Sequence, residues 1–355
     1  MPEVRLLRRY EVSNKLRIAT YIVSFILGVI LFILVEIAYG ADFNDILFKL
    51  FIKPITSYED LKVTLRYFIP VGITSLGLLI TYRAGIYSIG AEGQLVLGSI
   101  FVAWVAYSFA SLEKPISIVM ALLAGVLGGV MWALIPGVLK GFLNVNEVLT
   151  TLMLNFVAYS LTDYLIYGPW RSPKSFNFPL TEPLNESYII PTYMGVSIIG
   201  IAIMISLIVI INVIIKYTSI GYEIRAYGYN PAAAYAAGIS PRKVALLTFI
   251  LSGALAGLAG ALQLTTVHYR LGPKPWSVSE SLGYTSIIAA WLSRLEPLAI
   301  LPASMLLAML INGGLNIKAS LGQPEGIVNL MNGIILITLV ATEFVLNYRV
   351  VIKLR

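Results

Sequence analysis

Three stretches of this chain place acidic, amide and hydroxyl side chains beside glycines in patterns able to do chemistry. The first runs Arg83-Ala84-Gly85-Ile86-Tyr87-Ser88-Ile89-Gly90-Ala91-Glu92-Gly93-Gln94 between two apolar runs. Its glycines let the backbone turn or unwind, and the freed peptide groups, with Glu92 and Gln94, are then able to face a polar solute. The alternative is a hairpin on the cytoplasmic side in which Glu92 serves only as a first-turn acid on a helix dipole. The second stretch is Asn146-Glu147-Val148-Leu149-Thr150-Thr151-Leu152-Met153-Leu154-Asn155. Asn146 is placed to cap a helix, and Glu147, Thr151 and Asn155, four apart, share one of its faces. A carboxylate in the membrane core costs roughly 2.5 to 3.5 kcal/mol on insertion scales, so this stripe faces a cavity or other helices, not lipid. A polar wall along a solute path and a seam of interhelical hydrogen bonds are both open readings.

The third stretch is Gly221-Tyr222-Glu223-Ile224-Arg225-Ala226-Tyr227-Gly228-Tyr229-Asn230-Pro231, followed by an Ala-rich run to Ala237, then Gly238 and Ile239. Asn230 suits a helix N-cap, Pro231 the first helical position and Gly238 the residue just past a helix end. The pattern predicts two short helices outside the bilayer, shaped as a rigid knob; a loop helix packed only on itself fits the local signals too.

The elements that position these stretches follow from composition. Of 355 residues, 58% are hydrophobic and 12% charged, and the mean hydropathy is +0.85. A soluble globular domain would carry about a quarter charged residues, so the chain reads as an integral membrane protein. With no Cys and one His, His268, it has no thiolate nucleophile and no His-based metal site. The net charge of +7 belongs to basic residues flanking apolar runs, the pattern of membrane orientation and not of nucleic-acid binding.

Apolar runs long enough to cross a bilayer cover 18–39, 63–82, 92–110, 116–139, 147–167, 194–215, 244–265, 297–315 and 326–347. A tenth, 281–293, is too short to span comfortably and reads as a short or re-entrant helix. The expected fold is an all-α polytopic transmembrane bundle of about ten segments, one domain over 1–355. The first run is too long for a secretory signal and reads as an uncleaved span behind a basic cytoplasmic segment, 1–17. Lys and Arg favour the segments that share a side with the N-terminus, which orients both termini inward and puts 216–243 in the cytoplasm. Gly125 and Gly129, with Gly253, Gly257 and Gly260, mark close helix contacts inside the chain. Glu36 and Glu343 are expected at the interface, Glu343 facing Arg349, and His268 in a surface loop. The proline-rich segment 169–193 fits either an outer docking surface or a connector.

In order and spacing, the three stretches resemble the permease subunits of nucleoside-type ABC importers, the branch related to simple-sugar permeases. Their motifs there are RAGLFNIGxEGQ, NEVxxTxMxN and GYExRAxGxNPxAAxxAGI, and the similarity covers roughly residues 60–345. The resemblance implies a pair of permeases, self or sister, enclosing a solute path, with ABC ATP-binding subunits supplying ATP and Mg in trans and an external solute-binding lipoprotein delivering solute. It makes 221–239 the element that couples ATPase closure to the membrane helices, through Gly221, Glu223, Arg225, Ala226, Gly228, Asn230, Pro231, Ala233, Gly238 and Ile239. Glu92, Gln94, Glu147, Thr151 and Asn155 are the expected solute-path residues. Ser88 replaces the family's Asn, and Ala232, Tyr235 and Ala236 stand where Glu, Arg and Tyr are common. No Gly-Lys dipeptide occurs, so the chain carries no Walker A loop. No cofactor is expected in the chain. A secondary transporter or channel is the competing class; HExxH and GxSxG enzyme motifs are absent.

Overall fold

The computed structural model describes residues 3–8, 14–176, 178–273, 277–323 and 326–353, with side chains described within 19–342. The basic cluster of 1–17 and the expected approach of Glu343 to Arg349 therefore lie outside the described side chains. Among the described residues the regular structure is helical apart from two strands. Strand β1 (Glu3–Arg8) precedes α1 (Asn14–Ala38), two short helices α2 (Phe43–Leu47) and α3 (Lys53–Thr56), then α4 (Tyr58–Arg83), α5 (Ala91–Ser108), α6 (Ile116–Leu143) and α7 (Glu147–Tyr167). After a long irregular segment come α8 (Ile198–Tyr217), the short α9 (Ser219–Tyr229) and α10 (Pro231–Ala236), and α11 (Pro241–Gln263), which continues as a π-turn to His268. The order ends with α12 (Leu282–Leu292), α13 (Ile300–Leu321), α14 (Ile327–Asn347) and β2 (Tyr348–Lys353). Among the described residues, seven helices are long and apolar enough to cross a membrane; α12 and the described part of α14 are shorter apolar helices.

The chain divides into two compact units, 1–54 with 310–355, and 55–309. In the first, α1 packs along α14, where a Cβ on Gly28 would lie 3.0 Å from Ile335 Cα. Strands β1 and β2 pair antiparallel, Glu3 opposite Lys353 and Arg8 opposite Tyr348, so the two ends of the chain run together. Glu36, expected within reach of the membrane interface at a span end, is fully buried and accepts a 2.7 Å hydrogen bond from Gln323 Nε2. A carboxylate at that position must be held by a polar partner because no water reaches it.

The second unit is organised around glycine. Helix α11 packs on α6 with almost no side chains between them: a Cβ on Gly129 would run into the Gly253 carbonyl and lie 2.7 Å from Gly257 Cα. A Cβ on Gly98 of α5 would lie 2.5 Å from Gly257 Cα, and one on Gly260 would strike the Leu95 carbonyl. The GxxxG pair and the α11 glycines thus make an intramolecular three-helix core, as lipid-embedded helices require when packing, not the hydrophobic effect, drives association.

At one end of this unit the proline-rich segment closes over the helices. Thr181 and Leu184 N–H groups donate to the carbonyls of Leu271 and Tyr269 at 3.1 and 2.7 Å, and Ile190 N–H donates to Thr265 O at 3.2 Å. Tyr188, fully buried, donates to Phe109 O at 2.8 Å. His268 is not a free surface residue: it lies at the end of the π-turn, 2.9 Å from Glu280 through Nε2, with its side chain 15% exposed. The opposite end gathers the turn after α4, the α6–α7 connection, α9 with α10, and the turn after α12.

Candidate functional site

Helix α4 ends in a full C-terminal cap. Gly85, at φ +70°, donates to Tyr82 O at 3.0 Å, and Ile86 N–H returns to Thr81 O at 3.0 Å. That left-handed position is where glycine is favoured. From Tyr87 to Gly90 the backbone is then neither helix nor strand, and its polar groups need partners inside the protein. The stripe on α7 provides them. Glu147 Oε1 accepts from Tyr87 N–H at 3.3 Å, Thr151 Oγ1 from Ile89 N–H at 3.0 Å, and Asn155 Oδ1 from Gly93 N–H at 2.9 Å. Asn155 Nδ2 also donates to Ile89 O at 2.9 Å and to Tyr284 Oη at 3.2 Å. The first and second stretches of the sequence are therefore one structure, a broken helix connection and the helix that holds it.

Glycine permits the close approach. A Cβ on Gly93 would lie 2.9 Å from both Asn155 Oδ1 and Trp132 Nε1. Asn146 caps α7 by accepting from Leu149 N–H at 3.2 Å, and Glu147 Oε2 pairs with Lys140 Nζ at 3.0 Å. Ser88, fully buried, accepts from Gly90 N–H at 3.1 Å, and its carbonyl accepts from Tyr82 Oη at 2.8 Å. A serine thus closes the turn locally.

Glu92 lies in the first turn of α5 and is fully buried. Its Oε1 accepts from the Tyr159 hydroxyl and its Oε2 from Gly283 N–H at 2.7 Å. Gly283 is in the first turn of α12, so one carboxylate serves two helix N-termini, each carrying partial positive charge. The helices meet backbone to backbone there, since a Cβ on Gly283 would lie 2.5 Å from Glu92 Cα. Gln94, two residues beyond Glu92 and 1% exposed, accepts from Ser252 Oγ at 3.3 Å. Its Nε2 is buried with no partner, as is Trp132 Nε1. Burying a donor without a partner costs about 1 to 3 kcal/mol.

The third stretch forms both short helices. Thr218 accepts from Gly221 N–H at 3.2 Å, and Gly221 lies against the last carbonyls of α8, leaving no room for a Cβ. Asn230 Oδ1 accepts from Ala232 and Ala233 N–H, both at 3.1 Å, and Pro231 begins α10. Gly238, at φ +88°, donates to Tyr235 O at 2.9 Å while Ile239 N–H returns to Ala234 O at 3.0 Å. Ala234 and Ile239 are buried beneath this cap, the apolar contact that accompanies it. Ala226 O accepts from Asn230 N–H at 3.1 Å, Glu223 Oε1 pairs with Lys243 Nζ at 2.8 Å, and Arg225 keeps a buried Nη1 with no partner. The outer surface is Tyr222, Tyr229 and Tyr235 with small residues, Tyr229 being 93% exposed.

Gly228 joins the third stretch to the first. A Cβ there would run into the Arg83 carbonyl and lie 3.1 Å from the Ala84 carbonyl carbon. Arg83 in turn donates through Nε to Leu295 O at 2.7 Å and through Nη2 to Glu296 Oε1 at 2.5 Å. Lys216 Nζ is 3.2 Å from Glu296 Oε2. Burial raises the Glu296 carboxyl pKa, but Arg83 and Lys216 together hold it below the usual carboxylate range. Glu296, Tyr284 and Lys140 were not legible in the sequence as members of these arrangements. The one local signal was Glu296-Pro297 after a short apolar run, a mark of a turn and not of an ion pair.

Comparison with known proteins bears on this arrangement. Residues 61–340 match the family described as "Branched-chain amino acid transport system / permease component". A glucose ABC transporter permease of Haloferax volcanii is 30% identical over 88% of this chain and 84% of its own length. A nucleoside ABC transporter permease of Lactococcus lactis is 28% identical over 94% of both chains. A guanosine ABC transporter permease of Bacillus subtilis is 30% identical over 80% of this chain and 82% of its own. No solved structure matches the chain. The match covers the broken α4–α5 connection, the α7 stripe and the α9–α10 segment together, and the chain belongs to this family of ABC-importer permeases, multi-pass transport subunits of the cell membrane.

Proposed function

We propose that the chain is the membrane permease of an ATP-driven importer that carries nucleosides. The observation that carries this reading is the joining of three motifs in one unit: a helix break held by α7, a half-length helix α12 that starts at Glu92, and a capped cytoplasmic knob resting on the end of α4. Discontinuous helices whose N-termini meet inside the membrane are a device of solute sites in transporters. At about 1.5 Å per residue, α12 spans about half of a ~30 Å bilayer core, and it is counted here as one crossing. With α5 and α14 this makes ten crossings. The paired chain ends and the Lys/Arg bias support both termini inside, with α9 and α10 cytoplasmic.

In this reading the solute passes beside Glu92, Gln94, Glu147, Thr151 and Asn155. Four of them fix the wall by holding backbone, and Gln94 offers its free amide. Gly221, Glu223, Arg225, Ala226, Gly228, Asn230, Pro231, Ala233, Gly238 and Ile239 build the ATPase contact. ATP and Mg are held by the partner ATP-binding subunits. A second permease completes the path, and an external binding lipoprotein delivers the solute. The relatives named for nucleoside and guanosine transport favour a nucleoside, and the one named for glucose transport favours a sugar as the second reading. Proteoliposomes holding the whole complex decide. Radiolabelled guanosine should accumulate only with ATP on the ATPase side, and excess glucose should not compete. Accumulation of glucose alone would favour the sugar reading, and accumulation on a proton gradient without ATP would make the protein a secondary transporter.

A further inference from the structure

Helix α12 is bracketed at both ends by pairs of non-glycine residues in the left-handed region. Glu280 and Ser281 have φ of +43° and +62°, and Arg294 and Leu295 have φ of +56° and +59°. Such positions are rare for residues with a Cβ and persist where surrounding contacts fix them, often at hinges and switches. At the C-terminal end the turn is a helix cap, Arg294 N–H donating to Trp291 O at 2.8 Å and Leu295 N–H to Ala290 O at 3.2 Å. An arginine occupies the place where glycine is usual. What holds this turn is Arg83, through the Leu295 carbonyl and Glu296, and Lys216, through the other Glu296 oxygen.

Both cations belong to the supports of the knob. Lys216 is in the last turn of α8, directly before α9, and Arg83 carries Gly228 on its backbone. On the same turn of α12, Trp291 stacks on Tyr82 at 5.2 Å between centroids and 22°, and on Tyr87 at 6.1 Å and 18°. Tyr82 is buried and Tyr87 half exposed, so the three rings run from the interior of the unit to its surface.

We infer that Glu296 is a positioning residue for transport: it ties the strained turn after α12 to the α8–α9 and α4 ends on which the knob rests, so that movement of the knob swings α12 and parts the Tyr82–Tyr87–Trp291 stack. The stack is the inner gate of the solute path, and the Arg83–Glu296–Lys216 group is the link that drives it. A charged link suits this role because it is directional and stronger than a neutral contact, and because it joins three separate elements at one carboxylate. The inference rests on the reading of α9 and α10 as the ATPase contact.

The chain has no Cys, so a single thiol placed by Ser286→Cys, fully buried on α12, reports that helix's motion without background from this chain, whose label is read on its separated band. In the assembled complex in inside-out vesicles, a membrane-impermeant maleimide should label this thiol at least several-fold faster or slower with a non-hydrolysable ATP analogue than without it. Glu296→Gln should abolish that nucleotide response and cut solute moved per ATP about two- to five-fold, the size of a half-exposed ion pair, while the complex still assembles and hydrolyses ATP. Glu296→Asp should restore part of both. Lys216→Gln, which strands no buried charge, gives the same test should Glu296→Gln fail to assemble. Wild-type solute per ATP in both Glu296→Gln and Lys216→Gln, or an unchanged nucleotide response, overturns the inference. If the intact complex itself shows no ATP-driven uptake, it is the importer reading beneath it that fails.

Discussion

Replacing Asn155 with Leu tests whether the α7 stripe holds the broken α4–α5 connection. Asn155 is fully buried and makes three bonds, accepting from Gly93 N–H and donating to Ile89 O and Tyr284 Oη. Leucine keeps the branched four-atom skeleton, with methyls bulkier than the amide groups they replace, and it leaves a buried N–H and a buried C=O unpaired. Each stranded group costs about 1 to 3 kcal/mol. Hydrogen bonds removed within membrane proteins average nearer ~0.6 kcal/mol because other partners are found, which brings the expected loss to about 1 to 4 kcal/mol. Thr162→Val on the same helix is the control. Thr162 is also buried, yet its hydroxyl returns only to Ala158 O in its own helix, at 3.0 Å, so its loss should cost a few tenths of that. Equilibrium unfolding of the purified protein in mild detergent measures both. Equal stability of Asn155→Leu and Thr162→Val would refute the seam.

Four more outcomes follow from the same geometry. Gly228→Val places a side chain against the Arg83 backbone, which has no rotamer to move, so it should uncouple ATP hydrolysis from uptake. Gly238→Val meets only open space and pays backbone strain at φ +88°, about 1 to 2 kcal/mol, so it should loosen α10 and weaken ATPase affinity; co-purification and coupled ATPase assays separate the two. Glu147→Gln keeps an acceptor for Tyr87 N–H but loses the charge that faces Lys140 at 3.0 Å. Uptake per assembled complex should fall more than assembly if the stripe lines the path, and assembly alone if it serves only packing. Because Glu296 has its carboxyl pKa lowered by Arg83 and Lys216 against the effect of burial, the link it makes is present above the ordinary carboxylate range and is lost as pH falls through the lowered value. Acidifying the ATPase side of proteoliposomes to about pH 5 should leave solute per ATP unchanged, and a loss there that Glu296→Gln abolishes would contradict this.

The parts of the fold visible in the sequence are those decided within one helix turn or one hydrophobic run. Asn230, Pro231 and Gly238 each do in α10 what their types allow, because a cap bonds to groups two or three residues away. Glycine spacing on α6 and α11 announced close contact, since no other residue lets two backbones meet. What the sequence concealed is the choice of partner. Asn155 and Gly93 are 62 residues apart, and nothing local says that the amide would meet the break. The same gap explains why the partners of Glu36, expected within reach of the interface, and of His268, expected in a surface loop, were hidden: they are Gln323 and Glu280. An isolated polar residue near a span end reads as interfacial, and only the folded chain can supply a buried partner. The left-handed turns around α12 were equally silent, because Glu280, Ser281, Arg294 and Leu295 are not residues that favour that conformation.

The most direct test of the importer reading is a pull-down of the tagged chain from membranes in mild detergent, beside a version whose residues 228–239 are replaced by a Gly/Ser linker. An ATP-binding subunit should co-purify with the intact chain and not with the replaced one. Equal recovery with both would move the ATPase contact away from α9 and α10, and recovery with neither would contradict the importer reading itself.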